Sequence, residues 1–470
     1  LKKVWLQRCG LITADLLSLA LAFITSIFAS LIYHHELSTA NWERFWHFGA
    51  SKLLGLIVIM VFAYHEQYTK RRPFWEELRQ VYRLILLFMI INLGLAFTMG
   101  KGSLKVMVVA AWLSFALYVP LMRMLAKLLL LKLKLWQRDL YILGTTITAL
   151  NAYQLFAQDR LMGYNPVAFV TNASDPAVSS EPLPLPIINQ ATLIERLAQN
   201  SACDIIVAES HEHLSLNLGL INFLLHNCLN LLVLPPISGL ALFGADIEHF
   251  FASDQLVLRL NNNLAALGAR MLKRGFDLIG VIVGLIGLAP LFICIALAIK
   301  LTTGTRVFYL HKRIGRYGKP FYCLKFQTMY PDSQERLEQL LATDAAAREE
   351  WQQQFKLKND PRVTPIGRFL RQTSLDELPQ LFNVLIGNMS LVGPRPIVAD
   401  EIKRYQDGFY YYQLVLPGMT GLWQVSGRSG VDYSLRVRLD EWYVKNWSLW
   451  YDVVILFKTI GVVLKRSGAY

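Results

Sequence analysis

Apolar residues are spaced along this chain in a way that leaves few folds open to it. Four apolar blocks recur in the first third, at about 11–33, 51–64, 84–99 and 106–121, the last running on towards Leu131. A bilayer-spanning helix takes roughly 20 apolar residues. The first and last blocks reach that length, and the middle two reach it once their flanks are included. No charge sits at the centre of any block. A soluble bundle built from them would have too little polar surface to cover its outside. Apolar residues make up 54% and charged residues 17% of the 470, against the roughly 25% charged usual in soluble domains. With 47 Lys+Arg against 34 Asp+Glu the net charge is +13. Basic and apolar together exclude a disordered chain and a simple cytosolic enzyme, and argue against a nucleic-acid binder. They point to a membrane protein whose positive charge faces anionic lipid or an anionic substrate. The length leaves room for two to four units.

Orientation follows from basic residues in short loops. Lys2, Lys3 and Arg8 precede the first block, and Lys70, Arg71, Arg72 and Arg79 fill the second loop. Arg123, Lys127, Lys132, Lys134 and Arg138 follow the fourth, whereas the first loop has only Arg44 and the third only Lys101 and Lys105. The expectation is four crossings, with the N-terminus and everything after Arg138 in the cytoplasm. The first block is too long for a cleavable signal peptide. Cys9, Cys203, Cys228, Cys294 and Cys323 are scattered without CxxC spacing, which supports neither a disulfide framework nor a zinc site.

Between Asp139 and about Ala266 the pattern alternates. Strands at 140–144, 166–170 and 204–208 with a helix at 147–158 suggest a doubly wound parallel sheet. Gly144-Thr-Thr-Ile-Thr-Ala after the first strand has one glycine where a dinucleotide site has three. A structural or regulatory module is the expectation. Residues 278–299 then form 22 uncharged positions with Pro290 near the middle, Lys273 and Arg274 before them and Lys300 after. Basic residues at both ends, with a proline between, predict a helix that breaks at Ala289-Pro290 and re-enters on the same face. Asp277 at its mouth is expected to pair with Lys273 or Arg274.

From Thr303 onward the chain is polar enough for a cytoplasmic domain. Strands at 306–312 and 320–328 flank the turn 314–318, a hairpin pattern, and an acidic helix follows at 331–356. Adjacent Asp376 and Glu377 are the focus of the chemistry. Ser374-x-x-Glu377 reads as a capping box, but Pro379 disturbs a helix begun at Leu375. Alternatively, one carboxylate acts on substrate while the other holds a cation, since neighbours on a helix point about 100° apart. Magnesium prefers one or two carboxylates plus substrate phosphate oxygens. Lys325, Arg362, Arg368, Arg395 and Arg428 each lie beside glycine, proline or short polar residues, and Arg395 stands between Pro394 and Pro396. Such a set suits an anionic substrate meeting a lipid phosphate.

Four stretches carry a resemblance: Lys325-Phe-Gln-Thr-Met329, Thr373-Ser-Leu-Asp-Glu-Leu-Pro-Gln-Leu-Phe-Asn383, Ser390-Leu-Val-Gly-Pro-Arg-Pro396 and Pro417-Gly-Met-Thr-Gly-Leu-Trp-Gln-Val-Ser-Gly-Arg428. With them the chain resembles the bacterial polyprenyl-phosphate hexose-1-phosphate transferases, the monotopic phosphoglycosyl transferases, over its whole length. Lys356-Leu-Lys-Asn-Asp-Pro-Arg362 and the ending Arg466-Ser-Gly-Ala-Tyr470 are most similar to the undecaprenyl-phosphate galactose phosphotransferases among them. The resemblance implies that Asp376 attacks the sugar-bearing phosphate of a UDP-hexose, that Glu377 holds Mg²⁺, and that undecaprenyl phosphate takes up the phosphosugar. It further implies substrate binding at Lys325, Arg362, Arg368, Pro394, Arg395, Pro396, Gln424 and Arg428. Gln327 stands where many members have arginine, and Ala289-Pro290 where they have Ser-Pro.

The expected fold class is a multidomain membrane protein. It has a four-helix transmembrane bundle (1–137), a Rossmann-like α/β module (138–266), a re-entrant helix (267–302) and an α/β catalytic domain (303–470). Trp442, Tyr443, Trp447, Trp450 and Tyr451 before the apolar stretch 453–464 suggest a helix lying in the membrane interface. The expected activity is the first step of O-antigen, capsule or exopolysaccharide synthesis at the bacterial inner membrane. Its partners are UDP-hexose, undecaprenyl phosphate and the bilayer, with no nucleic acid. The central module is suited to mediating a homodimer. Glucose 1-phosphate transfer and a non-catalytic scaffold are the competing readings.

Overall fold

The computed structural model describes residues 2–34, 49–98, 102–171, 183–199, 203–209, 218–228, 230–235, 245–249, 256–259, 267–304, 306–344, 348, 360–427 and 432–464. By internal packing the chain divides into two compact units, Leu1–Ser238 and Gly239–Tyr470.

The first unit opens with helices α1 (Lys2–His34), α2 (Gly49–Tyr64), α3 (Phe74–Thr98) and α4 (Gly102–Lys132). Val58, Phe62, Val81, Val108, Phe115 and Val119 fill the seam between them, while Phe28, Met60, Ile90 and Leu113 face outward. A bundle apolar on both its inside and its outside suits lipid as solvent. By length and composition α1, α3 and α4 could cross a membrane, as could the later helix Leu267–Thr303, whereas the apolar part of α2, Leu53–Tyr64, is shorter. The buried charges Asp15, Glu77, Arg123 and Lys127 of this bundle are paired with one another. Arg123 donates to both oxygens of Asp15, at 2.8 and 2.6 Å, and to Glu77 Oε1 at 3.0 Å. Lys127 pairs with the other Glu77 oxygen, and Tyr68 donates to Asp15 at 2.6 Å.

A five-stranded parallel sheet follows, in the order β3-β2-β1-β4-β5. Its strands are β1 (Arg138–Leu143), β2 (Tyr164–Thr171), β3 (Ile187–Asn189), β4 (Asp204–Val207) and β5 (Asn230–Val233). Helices α5 (Ile147–Gln158), α6 (Gln190–Gln199) and α7 (Leu218–Asn227) complete the module. Tyr141, Leu143, Ile205 and Val207 enter one core cluster, and Leu140, Ile142 and Ile206 another. Successive strand residues point to opposite faces, and both faces are covered. That is why these strands read as unbroken apolar runs. Gly144 (φ +118°) closes β1, and a Cβ there would lie 2.7 Å from the Ala208 carbonyl oxygen.

The second unit contains the hairpin β6 (Asp246–His249) and β7 (Leu256–Arg259), then α8 (Leu267–Thr303). The hairpin β8 (Phe308–Ile314) and β9 (Pro320–Phe326) follows, with α9 (Ser333–Thr343), α10 (Pro365–Gln372) and α11 (Gln380–Ile386) after it. Strand β10 (Ser390–Val392) pairs in parallel with β11 (Gly418–Thr420), and α12 (Tyr433–Lys445) and α13 (Leu449–Leu464) close the unit. Of the acidic helix expected over 331–356, α9 is seen and ends at Thr343, and 345–347 and 349–356 lie outside the described residues.

The expected break at Ala289-Pro290 does not interrupt the helix. Residues 267–303 form one helical element with Pro290 inside it. The loss is confined to one N–H bond and its local crowding. Both halves of α8 nevertheless pack on the same unit. In the first half, Arg274 donates to the Val384 and Leu385 carbonyls at 2.7 and 2.9 Å, satisfying open carbonyls at the end of α11. Asp277 accepts from Ser390 Oγ at 2.8 Å and from the Leu391 N–H at 3.2 Å. In the second half, Phe292 meets Phe326 and Phe382, and Ile295 and Ile299 join Phe326 and Leu370. Asp277 lies 3.8 Å from Lys273, as one of the two expected pairings has it; Arg274 serves α11 instead. Ile279, Val283, Ile286 and Ile293 face outward.

In α13, Val454 and Ile455 are buried and Phe457, Ile460 and Leu464 exposed, so one apolar face packs on the domain and the other is open to an interface.

Replacing Arg123 with methionine leaves Asp15 and Glu77 buried with one partner fewer each. Breaking such a cluster costs about 3–5 kcal/mol, so the thermal midpoint of the purified full chain in detergent falls sharply. An unchanged midpoint would show that the cluster does not hold the bundle.

Candidate active site

The site is assembled on one face of the β8–β9 hairpin. Cross-strand partners share a face, and the register sets Tyr309 against Lys325, His311 against Cys323 and Arg313 against Phe321. Residues 309, 311, 313, 321, 323 and 325 therefore line one side. Lys325 Nζ donates to Glu377 Oε1 at 2.8 Å, which ties the hairpin to the acidic pair. Arg313 Nη1 reaches the Pro396 carbonyl at 3.3 Å, and its Nη2 lies 3.5 Å from His311 Nδ1.

Asp376 and Glu377 occupy a short 3₁₀ turn, Leu375–Glu377. Ser374 before it is left-handed (φ +56°), and its side chain makes no capping bond. The capping box that Ser374-x-x-Glu377 spells is therefore not formed. Pro379 instead opens α11, where a missing N–H costs nothing. A left-handed non-glycine residue carries strain of about 1–3 kcal/mol, a feature that clusters at functional sites.

Burial pushes the Asp376 carboxyl up to about 6, with Lys325 and Arg371 pulling it down and Glu377 pushing it up. Burial lowers His311 to about 4, aided by Arg313, Lys325 and Arg395, so it is neutral near pH 7. Burial also lowers Arg313, with Arg395 adding to the effect, and raises the Cys323 thiol to about 11. Two carboxylates thus stand among Lys325, Arg313, Arg371 and Arg395, cations partly stripped of water.

Of the residues read from the sequence, Lys325, Asp376 and Glu377 come together directly. The Arg395 guanidinium lies 6.0 Å from the Trp423 ring centre. Its flanking prolines hold the loop through carbonyls, Pro394 accepting from the Gly418 N–H at 2.8 Å and Pro396 from Arg313. Gln424 is buried, and its Oε1 and the neighbouring Trp423 Nε1 have no hydrogen-bond partner among the described residues. Arg362 is engaged with Asp360, Nη2 to Oδ2 at 2.7 Å. Arg368 is exposed on α10. One turn on, Arg371 acts on Asp376 instead and donates to Thr328 Oγ1 at 3.0 Å. Arg428 lies outside the described residues. Gln327 donates to the Met329 carbonyl at 2.8 Å. Sequence reasoning missed His311, Arg313 and Arg371. The two-residue alternation of 309, 311 and 313 was the available signal, but only the hairpin register aligns it with Lys325.

Among the described residues no cluster of three or more His, Cys, Asp or Glu side chains could cage a metal. Two adjacent carboxylates, one of them already oriented by Lys325, are a donor set suited to magnesium, which takes few protein ligands and completes its shell from phosphate and water.

Because Lys325 holds the Asp376 pKa down, Lys325→Met raises it further above about 6. The carboxyl infrared band, assigned by subtracting the Asp376→Asn spectrum, should then ionise at higher pH than in the parent. An unmoved transition would separate Lys325 from Asp376 electrostatically.

A model of the bacterial sugar transferase family matches residues 268–466. An undecaprenyl-phosphate galactose phosphotransferase of Salmonella typhimurium is 47% identical over 406 residues, covering 86% of this chain and 84% of the relative. A UDP-galactose-lipid carrier transferase of Erwinia amylovora is 43% identical over 404 residues, covering 86% and 84%. An uncharacterized sugar transferase of Haemophilus influenzae is 40% identical over 474 residues and matches both chains end to end.

Proposed function

This chain belongs to the bacterial sugar transferase family, and from that premise we propose that it moves a hexose 1-phosphate from a UDP-hexose to undecaprenyl phosphate. The products are undecaprenyl-diphospho-hexose and UMP, and the step begins a surface polysaccharide. Galactose 1-phosphate is the group favoured by the names of the Salmonella typhimurium and Erwinia amylovora relatives, each similar over 86% of this chain, and glucose 1-phosphate is the alternative. The observation that carries the reading is Asp376, partly desolvated and flanked by Lys325, Glu377 and Arg371.

In this reading an Asp376 oxygen attacks the phosphorus that bears the sugar. The bond to the UMP oxygen breaks, and the phosphosugar is carried on the carboxylate. An oxygen of undecaprenyl phosphate then attacks the same phosphorus and frees Asp376. Splitting one displacement into two through a carboxylate is covalent catalysis. Lys325, Arg313 and Arg395 supply fixed positive charge where phosphate charge builds up, and preset charge is most effective where water is thin. Glu377, with Asp376 beside it, would hold Mg²⁺, which supplies neutralising charge to a bound diphosphate. Gln424 and Trp423 offer buried polar atoms to the nucleotide end.

We assign the four-part division 1–137, 138–266, 267–302 and 303–470 to a cytoplasmic-membrane protein with its catalytic domain in the cytoplasm. The sheet order 3-2-1-4-5 supports a Rossmann-like reading of the second part, while its single glycine and the buried Glu209 after β4 speak against a phosphate cradle there. Re-entry of α8 is supported by the packing of both its halves on one unit. The module between bundle and catalytic domain is a reasonable seat for a dimer contact.

Asp376→Asn should cut UMP release by about 10³-fold or more while the protein stays folded. Near-parental release would remove the nucleophile and favour the scaffold reading. In the parent, the rate should climb as pH rises through about 6, because the attacking group is the ionised one. A panel of UDP-sugars identifies the hexose. A cysteine at the exposed Thr302 should resist an impermeant thiol reagent applied from the periplasmic side, and labelling beyond that of the parent chain would make α8 a crossing helix.

A further inference from the structure

A second cationic recess lies in the first unit, where the start of α1, the loop between α2 and α3, and the end of α4 meet β1. Gln7, Gln67, Arg71, Arg72, Lys127 and Arg138 line it. Lys127 is taken up by Glu77. Arg138 has Asp204 at 3.8 Å. Arg71 and Arg72 have no carboxylate within ion-pair distance among the described residues. Arg71 donates instead to the Met162 and Trp136 carbonyls at 2.7 and 2.6 Å, and lies 4.6 Å from the Trp136 ring centre. The neutral Gln7 Oε1 sits between two guanidiniums, 3.1 Å from Arg71 Nη2 and 3.2 Å from Arg138 Nη2. Burial, with the Arg138 charge adding to it, lowers Arg71 to about 9.

Two buried polar atoms in the recess have no hydrogen-bond partner among the described residues. One is a donor, Arg71 Nε, and the other an acceptor, Gln67 Oε1, on a side chain only 3% exposed. A ligand that completes the site must bring negative charge and at least one hydrogen-bond donor. The recess lies at the end of the apolar bundle to which the basic loops belong, where lipid headgroups would sit.

We propose that this recess binds the phosphoglycerol headgroup of an anionic phospholipid, its phosphate on Arg71 and Arg72 and a glycerol hydroxyl on Gln67. Phosphocholine brings no donor and no net charge. Phosphoethanolamine brings donors but no net charge, and its ammonium would meet the arginines. Basic recesses between membrane helices on the cytoplasmic side are a recurrent lipid-binding device. Nothing in the site is shared with Asp376 and its neighbours. The inference rests on reading α1–α4 as membrane helices and not on the active-site assignment, so loss of lipid preference and loss of UMP release are separate outcomes.

The test uses the purified full chain in detergent, titrated with phosphatidylglycerol, phosphatidylcholine or phosphatidylethanolamine and read by thermal midpoint and native mass spectrometry. Phosphatidylglycerol should bind in preference to both zwitterionic lipids, a comparison that needs no variant. Arg72→Gln should weaken that preference about fivefold, the effect of one cation near an anionic surface. Lys134→Gln, which removes a basic residue at the same end but outside the recess, should leave it nearly unchanged. Equal binding of the three lipids overturns the proposal, as does an equal effect of the two variants, which would mean diffuse surface charge. Stabilisation by sn-glycerol 1-phosphate as strong as by the lipid would make the ligand a free phosphate and overturn the lipid source.

Discussion

A buried ion cluster around Lys273 holds the apolar helix α8 against the domain that carries the acidic pair. Its ammonium lies 2.8 Å from Asp452 and 3.8 Å from Asp277, both carboxylates almost fully buried. Two buried carboxylates cannot share one ammonium cheaply, and other donors complete them. Asp452 also accepts from Tyr443 at 2.7 Å and Trp447 at 3.1 Å, and Asp277 from Ser390 and Leu391. Tyr443 in turn donates towards the Val392 carbonyl at 3.0 Å. Strand β10 is thus held by Asp277 of α8 on one side and by Tyr443 of α12 on the other. The loop with Arg395 follows it directly, so the position of that arginine depends on ion pairing at α8.

Desolvation recurs as the means of tuning charge. In the helical bundle it is countered completely, with each carboxylate of the Arg123 cluster given a cation. Around Asp376 it is countered only in part, and the carboxyl rests at about 6. That is low enough for the carboxylate to dominate near pH 7, while burial keeps the group poorly hydrated. Around Arg71 the excess lies on the positive side.

Much of the fold was legible because its periods are strong. The helix at 147–158, the parallel strands beginning near Leu140 and Asp204, and the hairpin around 314–318 follow from runs of apolar residues bounded by glycine or turn residues. The acidic pair was legible as a pair. Its geometry was not, because Ser374 and Pro379 each contradict the helix start that Ser374-x-x-Glu377 spells. That conflict was itself the signal of an irregular turn. Arg368 stands out in the sequence because it follows a glycine, and Arg371 does not stand out at all, since only the tertiary structure brings it to act on Asp376. Pro290 suggested a break, yet the backbone remains helical through it.

The sequence by itself determined the kinds of solvent each segment requires, the sheet and hairpin elements, and the inventory of phosphate-seeking and acidic groups. Local periodicity and composition are enough for those, since they depend on residues a few positions apart. The tertiary structure decided which charges meet. Lys325 with Glu377, Arg313 with the Pro396 carbonyl, Asp277 with Ser390 and Arg123 with Asp15 join residues 52 to 113 positions apart. Electrostatic energy falls off over a few ångströms and takes no account of separation along the chain. Only the packed fold brings these groups within reach of one another.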